Sequence, residues 1–458
     1  MSHAAAEAKA PGETQHWALA ALAGAAVLAG AVAPAAPTSL LSGPPAAVRP
    51  VDPLRAVLAR EARAEIAEAY RRHGYRLLWV ADGVVRPEAR GLVARIERAA
   101  DDGLRPEAYR PDLLRVAIAA AESGEPADLA RAELALSRVA AVYLADLHRP
   151  SSQAQMAFWD PTLKGPPVTP AAALASVFEH GFEAAGRMHP TYDALRAELV
   201  RRGEDDPLRP LILANMDRAR ALPAAPGARH VVVDAAAQRL WLYEDGEVAD
   251  TMKVVVGTRR DPTPPLAGLI RYANYQPYWN VPVDIVRDEI APRVLREGVA
   301  YLDSEEMEVL SDWTPQASLL DPASVDWSAV ATGHRTLRMR RRPGEANILG
   351  QVKLMLPNRL GIYLHDTPGK QLFERDQRTL SHGCIRLEDA QRLARRLIGP
   401  AADHPPAGDD ARLDLPRPVP VYVVYFTLAP EAGGLERRRD IYGRDAALIA
   451  ELQRRRAA

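Results

Sequence analysis

The sequence predicts an α+β protein in which an all-helical N-terminal region precedes a β-rich region with a long insertion. Three observations support this class. Between residues 54 and 203, apolar residues recur at helical spacing. After Pro226 they alternate at strand spacing. Within that second region, the stretch between Val281 and Thr332 follows neither pattern. A chain of 458 residues with 48% hydrophobic side chains is large enough for two or three domains, each with its own core.

The N-terminal segment favours export. Trp17 to Ala33 is an unbroken run of apolar residues and glycines. Its length is compatible with a signal peptide or with a short membrane anchor, so residues 1–36 are expected to be one of the two, which implies a periplasmic protein. Residues 37–53 are rich in proline and alanine and read as a linker.

Helical patterns fill residues 54–207, which we expect to form one compact scaffold domain. The clearest apolar stripe runs along the third helix through Leu136, Val139, Ala140, Tyr143, Leu144 and Leu147. The expected helices are Leu54 to Arg72, Pro87 to Asp102, Ala127 to His148, Pro170 to Arg187 and Pro190 to Arg202. Such a domain is ordinarily structural; the alternative is a groove that positions glycan strands or a partner protein.

Short strands separated by Pro and Gly turns follow, and they predict a β-sandwich or a barrel-like sheet. Asp245-Gly246 predicts a hairpin. The expected strands are His230 to Asp234, Gln238 to Glu244, Thr251 to Val256, Leu269 to Tyr275, Thr336 to Arg340, Val352 to Leu356, Gly361 to His365 and Val419 to Thr427. A helix with acidic residues in its first turn is expected over Leu387 to Ile398.

Charge gives no reason to expect a nucleic-acid partner, because 58 basic and 59 acidic residues leave a formal charge of −1. A local cluster of arginines lacks interleaved aromatic residues and is expected to protect an exposed strand edge. It comprises Arg335, Arg338, Arg340, Arg341 and Arg342.

Cys384 is the only cysteine of the chain, and His365 and His382 both lie within nineteen residues upstream. A thiol needs a neighbouring base to become a good nucleophile at neutral pH. His365 ends a predicted strand, whereas His382 would share a side of an extended segment with Cys384. Spacing alone does not decide which is the base. Gly383 allows close backbone approach, so N–H groups beside the thiol are candidates for oxyanion stabilisation.

Two other readings of these residues are weaker. His365, Asp366, His382 and Cys384 offer four zinc ligands, but their spacing lacks the paired signatures of metal sites, so no metal or other cofactor is expected. A papain-like protease places its cysteine before its histidine, which is the reverse of the order here.

The run Ser381-His382-Gly383-Cys384-Ile385-Arg386, preceded by His365, resembles the active-site motif of the L,D-transpeptidases with a YkuD-type domain. These bacterial enzymes cross-link peptidoglycan through a cysteine acyl-enzyme. Further stretches resemble the large periplasmic branch of the family over roughly residues 208–445: Tyr278 to Pro282, Pro343 to Gly350, Lys353 to Asn358 and His365 to Pro368.

The resemblance implies a mixed β-sandwich catalytic domain over residues 208–445, a capping lid over about 282–332, and a charged C-terminal helix or tail over 446–458. The alternative to a lid is an ordinary insertion packed on the sheet edge. Large members usually carry a peptidoglycan-binding module before the catalytic domain, but Gly203 to Leu208 leaves no space for one.

By the same resemblance, Cys384 is the nucleophile and His365 the general base and acid. The expected supporting residues are His382 and Gly383, with Asp366 behind the base. Arg386 is suited to a two-bond contact with a substrate carboxylate, the alternative being a structural ion pair. The full set expected to bind substrate is Ser381, Arg386, Tyr363 and Trp279.

The implied reaction starts on a tetrapeptide stem of peptidoglycan, releases D-alanine and leaves a thioester on the enzyme. An amine acceptor from a second stem then gives a 3→3 cross-link in cell-wall biogenesis. Water as acceptor makes the enzyme an L,D-carboxypeptidase, and a lipoprotein lysine makes it an anchoring enzyme; sequence leaves this choice open. Other wall-synthesis enzymes are candidate partners. The non-enzymatic alternative is a degenerate wall-binding protein.

Overall fold

The computed structural model describes residues 53–62, 64–345, 347–431 and 433–457. The expectations for residues 1–36 and for the linker up to residue 52 lie outside the described residues. Among the described helices, none combines the length and apolar character needed to cross a membrane.

The N-terminal region is helical, as predicted, with one small hairpin, β1 (Val80–Ala81) with β2 (Val84–Val85). Several helices begin with proline, which suits the first turn because the missing N–H would have no helical partner there. The helices are α1 (Pro53–Glu61), α2 (Ala64–Arg72), α3 (Pro87–Glu97), α4 (Pro111–Ala121), α5 (Pro126–Leu147), α6 (Pro170–His180), α7 (Phe182–Ala185), α8 (Pro190–Arg202) and α9 (Arg209–Ala219).

Helix α5 lies at the centre of this region, and all of its predicted stripe except Val139 is buried. Helix α4 was not predicted, and the helix expected from Pro170 ends early because Gly181 adopts a φ of +85°. Only residues 203–208 connect α8 to α9, so the interval holds no further domain.

The C-terminal region is built on a mixed sheet whose strands close on themselves. Its order is β12-β13-β15-β6-β5-β4-β16-β7, and β7 pairs with β12 to complete the ring. The pairs β13–β15 and β4–β16 are parallel, whereas most others are antiparallel. The strands are β3 (Ala157–Phe158), β4 (Arg229–Asp234), β5 (Arg239–Glu244), β6 (Glu247–Gly257), β7 (Leu266–Tyr275), β12 (Val352–Met355), β13 (Leu364–His365), β14 (Thr379–Ser381), β15 (Ile385–Leu387) and β16 (Ala411–Val424).

Alternation along the strands separates the interior of this ring from its outer face. On β5, Leu240 and Leu242 are fully buried in the ring core, whereas Trp241 and Tyr243 point outward. Asp245 and Gly246, both with positive φ, form the predicted hairpin turn to β6. Helix α14 (Ala390–Ile398) buries one face in the same core.

Residues 279–341 form an insertion with its own small core around Val286, Leu302 and Met339. Its four-stranded sheet has the order β10-β9-β11-β8. The elements are β8 (Trp279–Val281), α10 (Val283–Ile285), a π turn (Val286–Ile290), α11 (Ala291–Glu297), α12 (Ala300–Ser304), β9 (Met307–Leu310), β10 (Leu319–Leu320), α13 (Trp327–Ala331) and β11 (Arg338–Arg341).

The arginine-rich strand β11 does not lie at an edge, so that prediction was wrong. It pairs with β9 on one side and β8 on the other. Two of its three arginines are neutralised within the insertion, since Arg340 contacts Glu308 and Arg341 contacts Glu305, each at 2.6 Å. Charge pairing allows the strand to occupy an interior position.

The chain ends in the hairpin β17 (Leu428–Glu431) with β18 (Gly434–Arg437), followed by α15 (Asp445–Ala457). Helix α15 packs on α9, where the Arg218 guanidinium meets the Asp445 carboxylate at 2.7 Å. The same carboxylate accepts a hydrogen bond from the Thr427 hydroxyl at 2.9 Å. The helical region and the strand region are therefore joined through a buried polar cluster.

Candidate active site

The predicted nucleophile and base lie on neighbouring parallel strands. In the register of β13 and β15, His365 is opposite Arg386. Cys384 and Tyr363 each precede that pair by two residues, so all four side chains project from the same face. Strand β12 adds Lys353 directly opposite His365 on its other side.

His365 is 2% exposed, and its Nδ1 lies 2.6 Å from the backbone carbonyl oxygen of Asp366. A carbonyl only accepts, so Nδ1 carries the proton and Nε2 has the free lone pair. Burial lowers the pKa of His365 to about 3, and the positive charge of Arg386 acts in the same direction. The ring is therefore neutral at physiological pH, as a general base must be.

The Cys384 thiol is partly exposed, and its Sγ donates to the Gly361 carbonyl oxygen at 3.4 Å. Burial raises the pKa of Cys384, opposed by hydrogen bonds from Tyr363 and by the charges of Lys353 and Arg386. Within the described residues, no hydrogen bond joins Sγ to the ring of His365. The resting site thus holds a thiol and a neutral imidazole as diagonal neighbours rather than an ion pair.

The turn before the nucleophile is fixed by Ser381. Its Oγ donates to the Cys384 carbonyl at 2.6 Å and accepts the Gly383 N–H at 3.2 Å. Gly383 has a φ of +108°, which favours glycine, and an added Cβ would lie 3.2 Å from Ile362. The Gly383 N–H is therefore occupied in this structure, whereas the Cys384 N–H has no hydrogen-bond partner among the described residues.

Two cations flank the thiol, and neither makes a direct ion pair with a described carboxylate, although the charge of Asp410 acts on Lys353 from a longer distance. Arg386 makes no ion pair with any described residue, and its buried Nε has no hydrogen-bond partner. The ion-pair alternative for Arg386 is thus not what the structure shows. Lys353 is 7% exposed, and its Nζ lies 5.3 Å from the centre of the Tyr363 ring. Buried, unpaired cations are costly, which marks this face as suited to an anionic ligand.

The sequence patterns assign no role to Lys353, which lies in one of the stretches that resemble the family. A signal was present, because Lys353 interrupts an apolar strand between Val352 and Leu354, both fully buried. A lysine in a strand buried on both sides is unusual and suggests a function.

The Asp366 side chain does not contact the base. It accepts hydrogen bonds from Lys370 Nζ at 2.6 Å and from the Gln351 N–H at 2.9 Å. The backbone carbonyl of the same residue holds the His365 ring, so Asp366 orients the base through its main chain.

His382 and Trp279 lie at the insertion. His382 Nε2 is 3.3 Å from Glu289 Oε1 of the π turn, and both side chains are exposed. Trp279 lies on β8, opposite Arg341, and packs against the core of the insertion. The structure shows no contact between Trp279 and Cys384.

In the part of the chain that the structure describes, no group of three or more His, Cys, Asp or Glu residues is arranged to hold a metal ion.

Comparison with known proteins finds two family models that match this chain. Residues 228–421 match the YkuD family model, described as the L,D-transpeptidase catalytic domain, and residues 64–199 match a model described as a scaffold domain. A curated protein of Haemophilus influenzae, named as an inferred L,D-transpeptidase, is 29% identical over 250 residues, covering 52% of this chain and 49% of that protein. The chain thus spans about half the length of this relative.

Solved structures of L,D-transpeptidases are also similar. One from Mycobacterium smegmatis is 18% identical, covers 43% of this chain and 58% of that chain, and has a TM-score of 0.20. A mutant of the Enterococcus faecium enzyme is 14% identical, covers 44% of this chain and 52% of that chain, and has a TM-score of 0.19. Scores this low support no separate conclusion.

The fold and the family model together define a helical scaffold domain followed by a mixed-sheet catalytic domain of the L,D-transpeptidase type. The predicted fold class is confirmed. Residues 228–421 of this chain are thus similar to the catalytic domain of the L,D-transpeptidase (YkuD) family.

Proposed function

We propose that this protein is a peptidoglycan L,D-transpeptidase that forms a thioester on Cys384. The observation that carries the proposal is the shared outer face of β13 and β15, which places the thiol, the neutral imidazole and two unpaired cations together. A degenerate wall-binding protein would have no need for such an arrangement.

The donor substrate is a tetrapeptide stem, and its carboxylates are the anions that the site lacks. Arg386 presents a planar fork for a two-bond contact, and Lys353 adds a compact charge on the other side of His365. Tyr363, whose ring lies next to both Lys353 and Cys384, forms the wall between them. Binding would thereby give a direct ion-pair partner to the buried Lys353 and the half-buried Arg386.

Binding of that carboxylate also activates the base. In the free enzyme, the charges of Arg386 and Lys353 help to keep the pKa of His365 low. A bound anion offsets both charges, so the pKa of His365 rises and Nε2 takes the proton from Sγ. The thiol becomes reactive when the donor is in place rather than before.

The thiolate attacks the carbonyl carbon of the third stem residue and forms the C–S bond. The Cys384 N–H stabilises the oxyanion, and the Gly383 N–H can join it if it leaves Ser381. The C–N bond to D-alanine then breaks, and the His365 imidazolium returns its proton to the leaving amine. The products of this half-reaction are D-alanine and a thioester.

An acceptor amine from a second stem resolves the thioester. His365 removes one proton from the attacking amine, the new amide bond forms, and the proton returns to Sγ. If the amine belongs to the third residue of the acceptor stem, the product is a 3→3 cross-link.

We further propose that the insertion acts as a lid over this cleft, because the contact between Glu289 and His382 ties it to the nucleophile motif. The apolar N-terminal segment fits an exported, periplasmic enzyme with a cleaved signal or an anchor. Periplasmic wall-synthesis enzymes remain candidate partners.

The test is to incubate the full chain with purified disaccharide-tetrapeptide and to weigh the products. Loss of D-alanine with formation of dimer is the predicted result. Loss without dimer identifies a carboxypeptidase instead, and transfer to a lipoprotein peptide added as competitor identifies an anchoring enzyme. No turnover with retained binding to sacculi would refute the enzyme and support a wall-binding protein.

A further inference from the structure

A second concave site lies away from Cys384, between the helical and strand regions. Its volume is about 710 Å³, and its walls come from the start of α8, the outer face of β4 and β5, and the hairpin β17–β18. We call it the aromatic groove and define it by His230, Trp241, Tyr243, Glu436 and Arg438.

The floor of the aromatic groove is unusually flat and aromatic for the outer face of a strand. Trp241 and Tyr243 occupy successive outward positions on β5. Tyr243 stacks on His230 of β4, with ring centres 4.8 Å apart and planes within 3° of each other. A platform of this kind presents π faces to a ligand.

Polar atoms around the platform are open. The Trp241 Nε1 and the Tyr243 hydroxyl have no hydrogen-bond partner among the described residues, although both residues line the aromatic groove. The Arg438 guanidinium is held by Asp234 and Glu436, each at 2.6 Å, and lies 5.7 Å from the centre of the Trp241 ring. The rim is thus a set of fixed donors and acceptors around an apolar floor, the ordinary composition of a small-molecule site.

This combination fits a saccharide better than the other classes of ligand. A pyranose ring places C–H groups on the aromatic faces and directs hydroxyl and acetamide groups at the rim. A polyanion or an anionic membrane would need an excess of positive charge. The aromatic groove instead mixes Arg239 and Arg438 with Asp234, Glu431 and Glu436.

The aromatic groove and the catalytic residues share one face of the ring of strands. Arg386 is opposite Val255 on β6, and Lys253 of the same strand is opposite Arg239 on β5. Trp241 lies two strands from β15 and about six residues along β6 from the level of Cys384, a distance on the order of 20 Å. The segment from Phe373 to Arg378 packs on this face between the two places, where Lys253 Nζ donates to the Phe373 carbonyl at 3.0 Å and Arg378 donates to the Val254 carbonyl at 3.1 Å. A polymer that reaches both places must therefore pass over this segment.

We infer that the aromatic groove binds the glycan strand of peptidoglycan, as an N-acetylated saccharide, while a stem peptide of that polymer enters the cleft at Cys384. The inference rests on the proposed function for its substrate class. It supplies a means of holding the wall polymer in a chain whose 203–208 connection has no room for a binding module.

The experiment measures binding of tetra-N-acetylchitotetraose, a peptide-free saccharide, to the full chain by calorimetry. Variants Trp241→Ala and Tyr243→Phe are compared with Trp313→Ala, a control in an indole that is 59% exposed on the insertion. We expect about a tenfold loss of affinity for Trp241→Ala, a smaller loss for Tyr243→Phe and no change for the control. Melting temperatures check that each variant is folded.

A second readout separates this inference from the proposed function. Trp241→Ala should acylate normally with a free tetrapeptide, which has no sugar, but turn over insoluble sacculi more slowly. The inference is overturned if the saccharide does not bind, if Trp241→Ala binds it as well as the unmodified chain, or if only a protein ligand competes for the site. Cys384→Ala, which removes the chemistry, should keep full saccharide affinity.

Discussion

His365 and Arg386 lie directly opposite each other on the parallel strands β13 and β15, so the base has a permanent cation as its neighbour. This charge adds to burial in lowering the pKa of His365 to about 3. We propose that a bound anion offsets the charge of Arg386 and raises the pKa of His365 from this low value.

Replacing Arg386 tests the carboxylate contact. Arg386→Met removes a charge-assisted bond worth about 1.5–3 kcal/mol, so kcat/KM for donor acylation should fall about tenfold to a hundredfold. The pKa of His365 in the free enzyme should rise at the same time, which an NMR titration of the ring detects. Arg417→Met, on an exposed part of β16, is the matched control. An unchanged kcat/KM and an unchanged His365 titration would exclude the proposed role of Arg386.

Stability should fall on acidification because His365 is buried in its neutral form. Its pKa is lowered in the folded chain relative to the usual 6.5, so the unfolded chain binds the extra proton first. The contribution of His365 to the free energy of unfolding is complete above pH 6.5. It is lost as the pH falls toward about 3, at up to about 1.4 kcal/mol per pH unit. Urea unfolding of His365→Asn between pH 7 and pH 4 should show a smaller loss than the unmodified chain. An equal slope would contradict the assignment.

Gly350 should tolerate no side chain. A Cβ there would lie 2.3 Å from the Asp366 carboxylate, and the residue has a φ of +60°. Gly350→Ala should therefore displace Asp366, loosen the hold on His365 and destabilise the fold by about 1–3 kcal/mol. Gly74→Ala is the control, because Gly74 has nearly the same φ, +61°, but nothing within 4 Å of an added Cβ. Equal melting temperatures and equal activity for the two variants would refute the argument.

The contact between Glu289 and His382 should affect access rather than stability, since both side chains are exposed. Glu289→Gln should leave the melting temperature unchanged and speed modification of Cys384 by a bulky maleimide. Glu297→Gln, which removes an exposed pair with Arg293 elsewhere on the insertion, should change neither. If both variants react at the same rate as the unmodified chain, the insertion does not gate the cleft through this contact.

The sequence was informative where chemistry is local. A lone cysteine, two histidines and a glycine in one short stretch identified the motif, and the periods of apolar residues identified helices and strands. Asp245-Gly246 predicted its hairpin because the positive φ values of that turn suit these residue types.

The features that could not be predicted from the sequence depend on how distant strands pair. The pairing of Lys353 with His365, the closure of β7 on β12 and the interior position of β11 follow from tertiary contacts that no local pattern encodes. The same holds for the Gly383 N–H, which was expected to face the oxyanion but is bound to Ser381 here. The domain boundaries and the individual residue roles remain predictions.

Attachment of the acyl group to Cys384 is the step on which the proposed reaction depends. It can be measured by the intact mass of the full chain, quenched in acid shortly after mixing with excess free tetrapeptide. We expect an adduct equal to the acyl tripeptide, mapped to Cys384 by peptide digestion and absent from Cys384→Ser. Release of D-alanine at an undiminished rate by Cys384→Ala, with no adduct on the unmodified chain, would contradict it.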